Sequence, residues 1–295
     1  MSSSVFHLDR HSVKPLLNQT FFNTLENIIL HLSNFLKQKE PESLHQYRIN
    51  IRMARSMCVE FGAFMNKKYK NSVNTLLRTL QKETNEMRDI DVFLAYIEAY
   101  KQRVDSSFLG EFESIKAKLI AEKEVAYKAF ESKYTEAFFA DTLAKLQLVQ
   151  NDKKLCFPKS EQKLMKYLKE IFEARLDKIA KISKKLTLDA PNTLFHKLRL
   201  HYKKLRYTSD ALSLEAFSKS FKPIQNAFGD IQDKNSQIER IKRYNTTKNK
   251  YLEHIIALLE EELVHDKSVC IEISSPKTVR KMRKDIQKIF TCKGQ

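Results

Sequence analysis

Residues 45–55 set one histidine and three arginines at fixed intervals: His45, Arg48, Arg52 and Arg55, at positions 0, 3, 7 and 10. The same template returns 151 residues later as His196, Arg199, Lys203 and Arg206. A chain of this composition should show such a row roughly 0.05 times by chance, and here it occurs twice. On a helix these offsets point at about 0°, 300°, 340° and 280°, a single stripe about 15 Å long. The apolar residues Ile49, Met53, Met57, Phe61 and Phe64 fall at about 40–160° on the same count and are expected to be the packing side. Leu198, Leu200, Leu205 and Leu212 take that part in the second copy.

Such a row calls for an anion. Like charges three or four residues apart destabilise a helix by about 0.2–0.5 kcal/mol per pair. Arg48–Arg52 and Arg52–Arg55 are two such pairs, and the second copy adds two more. Arginine suits phosphate because its planar fork donates two parallel hydrogen bonds. Histidine at the end of the row can donate to phosphate or orient a neighbour, and gains charge near neutral pH. The plainer reading is a solvated face bridged to carboxylates on neighbouring helices. One copy would favour that; two copies on one template favour a bound anion.

A second element follows each basic row. Met87-Arg88-Asp89-Ile90-Asp91-Val92 follows the first, and Gly229-Asp230-Ile231-Gln232-Asp233 the second. Aspartates here are expected to cap a helix start or hold the arginines by ion pairing. A catalytic carboxylate pair is the sharper alternative and needs shifted pKa values in a cleft.

The elements that must carry these rows are helices. The 295-residue chain has 53 Lys and Arg against 36 Asp and Glu, a net charge of +17, with 42% hydrophobic residues, four Gly and six Pro. That apolar fraction excludes a disordered chain, and the scarcity of Gly and Pro excludes an all-β or Gly-rich nucleotide fold. Apolar spacing of 3–4 predicts helices over about 18–37, 42–66, 70–85 and 90–104, with one long and one shorter helix over 107–149. Further helices are expected from Pro158 to about 187 and over 192–217, with a short one bracketed by Pro223 and Gly229, and a long one over 235–264. Val269 to Ile273 reads as a short strand or extended link. Residues 266–295 form a basic tail of local charge +5. A helix there, over about 277–291, either binds a polyanion or packs its stripe of Val279, Met282, Ile286, Ile289 and Phe290 back on the bundle, the second being favoured.

The cysteines, Cys58, Cys156, Cys270 and Cys292, show no C-x-x-C pair or zinc spacing and read as reduced thiols. The sequence MSSSVFHLDRHSVK lacks the apolar stretch of a signal peptide. No apolar run approaches the roughly 18 residues of a membrane span. The chain reads as soluble and cytoplasmic, with no membrane insertion, and calls for no cofactor or metal.

The H-x-x-R-x-x-x-R-x-x-R helix, the R-D-x-D-V segment and the H-K-L-R-x-x-x-K-K-L-R-Y helix together resemble the CHAD domain, the conserved histidine α-helical domain. The resemblance spans about residues 10–265, in halves of about 10–150 and 151–265, leaving 266–295 outside. It implies an all-α fold of two pseudo-symmetric four-helix bundles around a basic central cavity, binding inorganic polyphosphate and associated with polyphosphate granules. Carried over, the binding residues are His45, Arg48, Arg52, Arg55 and Arg88, with His196, Arg199, Lys203, Lys204 and Arg206. Thr84-Asn85 stands where the family pattern carries Leu-Gly, so the turn there is expected to differ. No E-x-E-x-K signature of a CYTH domain is present.

Three functional classes compete. A polyphosphate-binding protein leads. A nucleic-acid-binding helical protein is the alternative, since a charge of +17 with 30 Phe and Tyr suits RNA or DNA; against it, those aromatics fall on apolar stripes. Catalysis is not expected: no P-loop is present, and the sole His-Asp pair, His265-Asp266, stands where the divergent tail begins.

Overall fold

The computed structural model describes residues 13–65, 67–103, 105–133, 136–151, 160–245 and 249–291. Within them the chain is all-α: α1 (Val13–Gln38), α2 (Pro41–Glu60), α3 (Lys67–Glu83), α4 (Asn85–Lys101), α5 (Leu109–Lys133), α6 (Glu136–Asn151), α7 (Glu161–Ser183), α8 (Asn192–Ala211), α9 (Glu215–Tyr244), α10 (Lys250–Ile273) and α11 (Pro276–Thr291). Single 3₁₀ turns lie at Gly62–Phe64 and Ser106–Phe108. Among the described residues no helix is long and apolar enough to cross a membrane. Pro158, Cys156 and Cys292 fall outside the described residues.

The described residues divide into two compact units. An amino-terminal unit takes those of 21–156 and 245–255, and a carboxy-terminal unit those of 1–20, 157–244 and 256–295. In the amino-terminal unit α2 packs on α3 and α4, and α4 on α5. Its core draws Tyr47 and Ile51 from α2, Val73 and Leu77 from α3, Ile90 and Phe93 from α4, and Phe112 from α5. Phe112 meets Tyr251 edge to face at 6.2 Å. In the carboxy-terminal unit α8 packs on α7 and α9, and α7 on α11. Its core is rich in rings: Phe195 and Tyr202 meet Phe228 at 6.2 and 5.7 Å, and Phe217 meets Phe221 at 4.7 Å. These contacts use the aromatics for packing, where each contributes about 0.5–1.5 kcal/mol beyond its buried area.

Four expectations are corrected. Val269 to Ile273 is the last part of α10, not a strand: Cys270 is fully buried and its carbonyl accepts from the Ser274 amide at 3.2 Å. The β-branched residues gave a strand-like composition, but tertiary burial decides. Pro223 and Gly229 do not bracket a short helix; both lie inside α9. The buried stripe Phe217, Phe221, Ile224, Phe228 and Ile231 runs straight through Pro223, which lies on the exposed side. The long helix expected over 235–264 is broken instead by Asn245 and Asn249. Asn249 caps α10, its side chain accepting from the Leu252 amide at 3.1 Å.

The fourth correction concerns part of the packing side of the basic helices: Met57, Phe61, Leu198, Leu205 and Leu212 are buried as expected, whereas Ile49, Met53, Phe64 and Leu200 are not. α2 buries Leu44, Tyr47, Ile51, Ala54 and Cys58; α8 buries Phe195, Leu198, Tyr202, Leu205 and Ser209. Both sets point at about 180–260° on the count used above, so the buried face adjoins the basic stripe directly. Ile49 and Met53 are only half-buried, and Leu200 is 42% exposed. Small residues (Ala54, Cys58, Ser209) face the core because neighbouring helices approach closely there, and they carry little hydrophobic signal in sequence.

With few glycines available, two turns place other residues in the left-handed region. Lys39, between α1 and α2, has φ 58°, and Ser213, between α8 and α9, has φ 52°. Each costs about 1 kcal/mol or more over glycine. Surrounding contacts hold Lys39, whose Nζ pairs with Glu131 at 3.1 Å and lies over the Tyr127 ring at 4.3 Å.

Candidate functional site

The basic edge of α2 is set by the end of α3 and the start of α4. Arg48 Nη1 donates to the Gln81 carbonyl at 3.2 Å, to Thr84 Oγ1 at 3.0 Å and to Asn85 Oδ1 at 2.9 Å. Arg55 Nη1 donates to Gln81 Oε1 at 2.5 Å, and its Nε to Asn74 Oδ1 at 3.4 Å. Gln81 therefore holds two arginines, one by its backbone and one by its side chain. Between them, Arg52 Nε is buried and, among the described residues, has no hydrogen-bond partner. A buried donor left unmade costs about 1–3 kcal/mol.

No carboxylate among the described residues forms an ion pair with Arg48, Arg52 or Arg55. Their fixed acceptors are amide, hydroxyl and carbonyl oxygens. The charge is oriented without being cancelled. Burial, then the neighbouring Arg52, lowers the Arg48 pKa, with Asp89 acting against them. His45 is lowered by burial first, then by Arg88, Arg52 and Arg48. Those influences show that His45, Arg48, Arg52 and Arg88 are brought together. Arg55 lies one turn further on, where it and Lys70 both act on the buried Cys58 thiol, itself pushed up to about 12 by burial.

On α8 the row is anchored differently. His196 Nδ1 lies 2.6 Å from Gln232 Oε1 of α9, within hydrogen-bond distance. Arg206 Nη1 donates to Gln225 Oε1 at 3.0 Å, and its Nε lies 3.5 Å from Asp210 Oδ2. Gln225 in turn donates to the Tyr202 carbonyl at 3.1 Å. Arg199 and Lys203 are half-buried on the same stripe. Lys204 is not on it: eight residues past His196 it points about 80° round the helix. There it acts on His201 together with Arg175 and Lys178 of α7. Burial, then these three cations, push the His201 pKa down to about 4.

The aspartates divide in their roles, with Asp89 acting on the row. Asp91 pairs with Lys123 of α5 at 2.6 Å rather than with an arginine of the row. Asp89 is the fifth residue of α4 and influences Arg48 electrostatically. Asp230 and Asp233 lie in the middle of α9, so neither caps a helix start. Asp230 is raised by burial and by Asp266, while Asp266 and Glu262 pair with Lys234 at 2.5 and 3.2 Å. Among the described residues no group of three or more His, Cys, Asp or Glu is placed to hold a metal ion.

Sequence reasoning missed the neutral partners Asn74, Gln81, Thr84, Asn85, Gln225 and Gln232. One signal was available. Thr84-Asn85, the departure from the family pattern, supplies two of the three acceptors of Arg48.

A family model described as the CHAD domain matches residues 20–242. No curated protein matches the sequence. The fold is similar to the crystal structure of the CHAD domain from the plant Ricinus communis, at 16% identity and a TM-score of 0.65, covering 97% of this chain and 94% of that one. It is also similar to PptA from Streptomyces chartreusis, at 12% identity and a TM-score of 0.65, covering 93% of this chain and 98% of that one.

Proposed function

The chain belongs to the CHAD domain family, and from that premise we propose that it binds inorganic polyphosphate, without turning it over, through the basic edges of α2 and α8. One observation carries the reading: the arginines of α2 are held by neutral acceptors, with Arg52 Nε buried and unpartnered. A purely structural row would be expected to meet carboxylates, because a buried cation without a counter-charge is costly. Fixed, uncancelled guanidiniums suit an anionic oxygen, and each well-made charge-assisted bond contributes about 1.5–3 kcal/mol. A phosphate polymer without bases needs no stacking platform, and most of the described rings are packed in the two cores. That weighs against nucleic acid as the ligand.

Arg48→Glu with Arg199→Glu is expected to weaken polyphosphate retention more than about a hundredfold, two charge-assisted contacts being lost and reversed. Helical circular dichroism should remain. Unchanged retention by a folded double variant overturns the site. Polyphosphate should also displace a labelled oligonucleotide at matched charge far better than the reverse. Phosphate release above blank, with magnesium or manganese added, would overturn the non-catalytic reading.

A further inference from the structure

Helix α11 lies outside the segment matched by the family. Its two apparent fates in sequence, packing or anion binding, are not exclusive once its faces are separated. Val279, Met282, Ile286 and Ile289 are buried, and α11 packs on α7, with Phe290 meeting Phe172 at 5.8 Å. On the edge of that stripe Arg283 donates to Glu173 Oε2 and Asp177 Oδ1 of α7, each at 2.6 Å. The inner face and one edge are thus fully used in attaching the helix.

The outer face is cationic throughout. Lys277, Arg280, Lys281, Lys284 and Lys288 are all exposed. At helical spacing they share an arc of about 100° opposite the apolar stripe and form a row about 16 Å long. Among the described residues Lys277, Arg280, Lys281 and Lys284 make no ion pair or hydrogen bond. Lys288 has only a long contact to Asp285, at 3.9 Å. The pairs Lys277–Arg280, Lys277–Lys281, Arg280–Lys284, Lys281–Lys284 and Lys284–Lys288 stand three or four residues apart, a spacing at which like charges oppose the helix.

We infer that this face is a second binding track for a linear phosphate polyanion, distinct from the α2 and α8 edges. The face carries no Phe, Tyr, Leu, Ile or Val, so it has nothing to stack on a base or to insert among lipid tails. It also has no apolar anchor for a protein partner. Four of its five cations are lysines, mobile point charges suited to tracking a chain rather than gripping one group. The inference rests on the polyphosphate reading above and adds a site outside the residues that the family model matches. A long chain held at α8, in the same unit, would gain further from α11 through raised local concentration.

The test uses the full chain with Lys281→Glu and Lys284→Glu together, and a milder Lys281→Gln, Lys284→Gln pair. Both are read by circular dichroism and by titration with short and long polyphosphate across a salt series. The expected result is a loss of long-chain affinity of about tenfold or more in the Glu pair and a salt slope lower by about two. Short chains should change by less than about threefold, and the Gln pair should fall between. Long-chain binding and slope unchanged in both folded variants overturn the track. If wild type binds no polyphosphate, both readings fall. If Arg48→Glu with Arg199→Glu leaves long-chain binding intact and the α11 substitutions remove it, the track stands and the α2/α8 site falls. Anionic vesicles and a single-stranded oligonucleotide are the remaining arms. Tighter binding of either than of polyphosphate at equal charge, lost in the α11 variants, overturns the choice of occupant.

Discussion

Helices α2 and α11 each place a row of cations beside an apolar stripe, but they handle the charge in opposite ways. On α2 the guanidiniums are half-buried and fixed by Gln81, Thr84, Asn85 and Asn74. On α11 the one half-buried arginine, Arg283, is neutralised by Glu173 and Asp177, and the remaining cations stay in water. On α11 carboxylates cancel the held charge, whereas on α2 the acceptors set its direction and leave its sign intact. Exposed lysines are oriented by nothing and act through summed potential, which salt screens within about 10 Å at ordinary ionic strength. The α2 edge should therefore dominate affinity, and α11 salt dependence.

The sharpest way to break this comparison is Arg52→Gln. Its buried Nε has no partner to lose, and the change removes repulsion with Arg48, whose pKa Arg52 helps to lower. Polyphosphate affinity is expected to fall about tenfold or more, at the level of one charge-assisted contact, while thermal stability stays level or rises by up to about 1 kcal/mol. A drop in stability with affinity unchanged would make Arg52 a structural residue and remove the contrast with Arg283. Arg283→Met is the reciprocal change. It should lower stability by no more than about 1 kcal/mol, since Asp177 is largely exposed and surface pairs are weak. Short-chain polyphosphate binding should not move. A loss of short-chain binding there would show that α11 and the α2 and α8 edges are not separable.

The same contrast explains what the sequence could and could not reveal. Helical periodicity and the twice-stated row were legible because both repeat at spacings fixed by helix geometry. The buried face of α2 was placed only in part: Met57 and Phe61 are buried as expected, but Ala54 and Cys58 pack with little apolar signal, whereas Ile49 and Met53 advertise one and lie at the edge. α9 was cut short at Pro223 because a proline's local preference was weighed without the five-residue stripe that passes beneath it. The acceptors were the least visible. Gln81, Asn85 and Gln225 are uncharged, and they lie 26, 37 and 19 residues from the arginines they hold. Nothing in an isolated glutamine marks it as a clamp until the helices bring it to a guanidinium. Lys204 was carried over with its neighbours, although its angle on α8 already set it apart from the stripe.

The smallest expected effect is also the most diagnostic, because its sign depends on which kind of charge α2 carries. Burial, then Arg88, Arg52 and Arg48, hold His45 below the ordinary imidazole value of 6.5, with Glu42 opposing. In the unliganded chain the folded state therefore binds its proton less readily than the unfolded state. Stability from this group is present above pH 6.5 and is lost as pH falls through 6.5 toward the folded-state value. A phosphate chain seated on the row would act the other way, its negative charge raising the His45 pKa. Ligand and proton then bind together, and affinity should rise as pH falls between the bound and free values, by a few-fold at most, or about 0.5–1 kcal/mol. His45→Gln should flatten that rise while leaving affinity at pH 8 nearly unchanged. Titration of polyphosphate affinity from pH 8 to 5.5, wild type against His45→Gln, decides it. Had the row been neutralised internally as Arg283 is, a ligand would not be drawn to it and the two profiles would coincide.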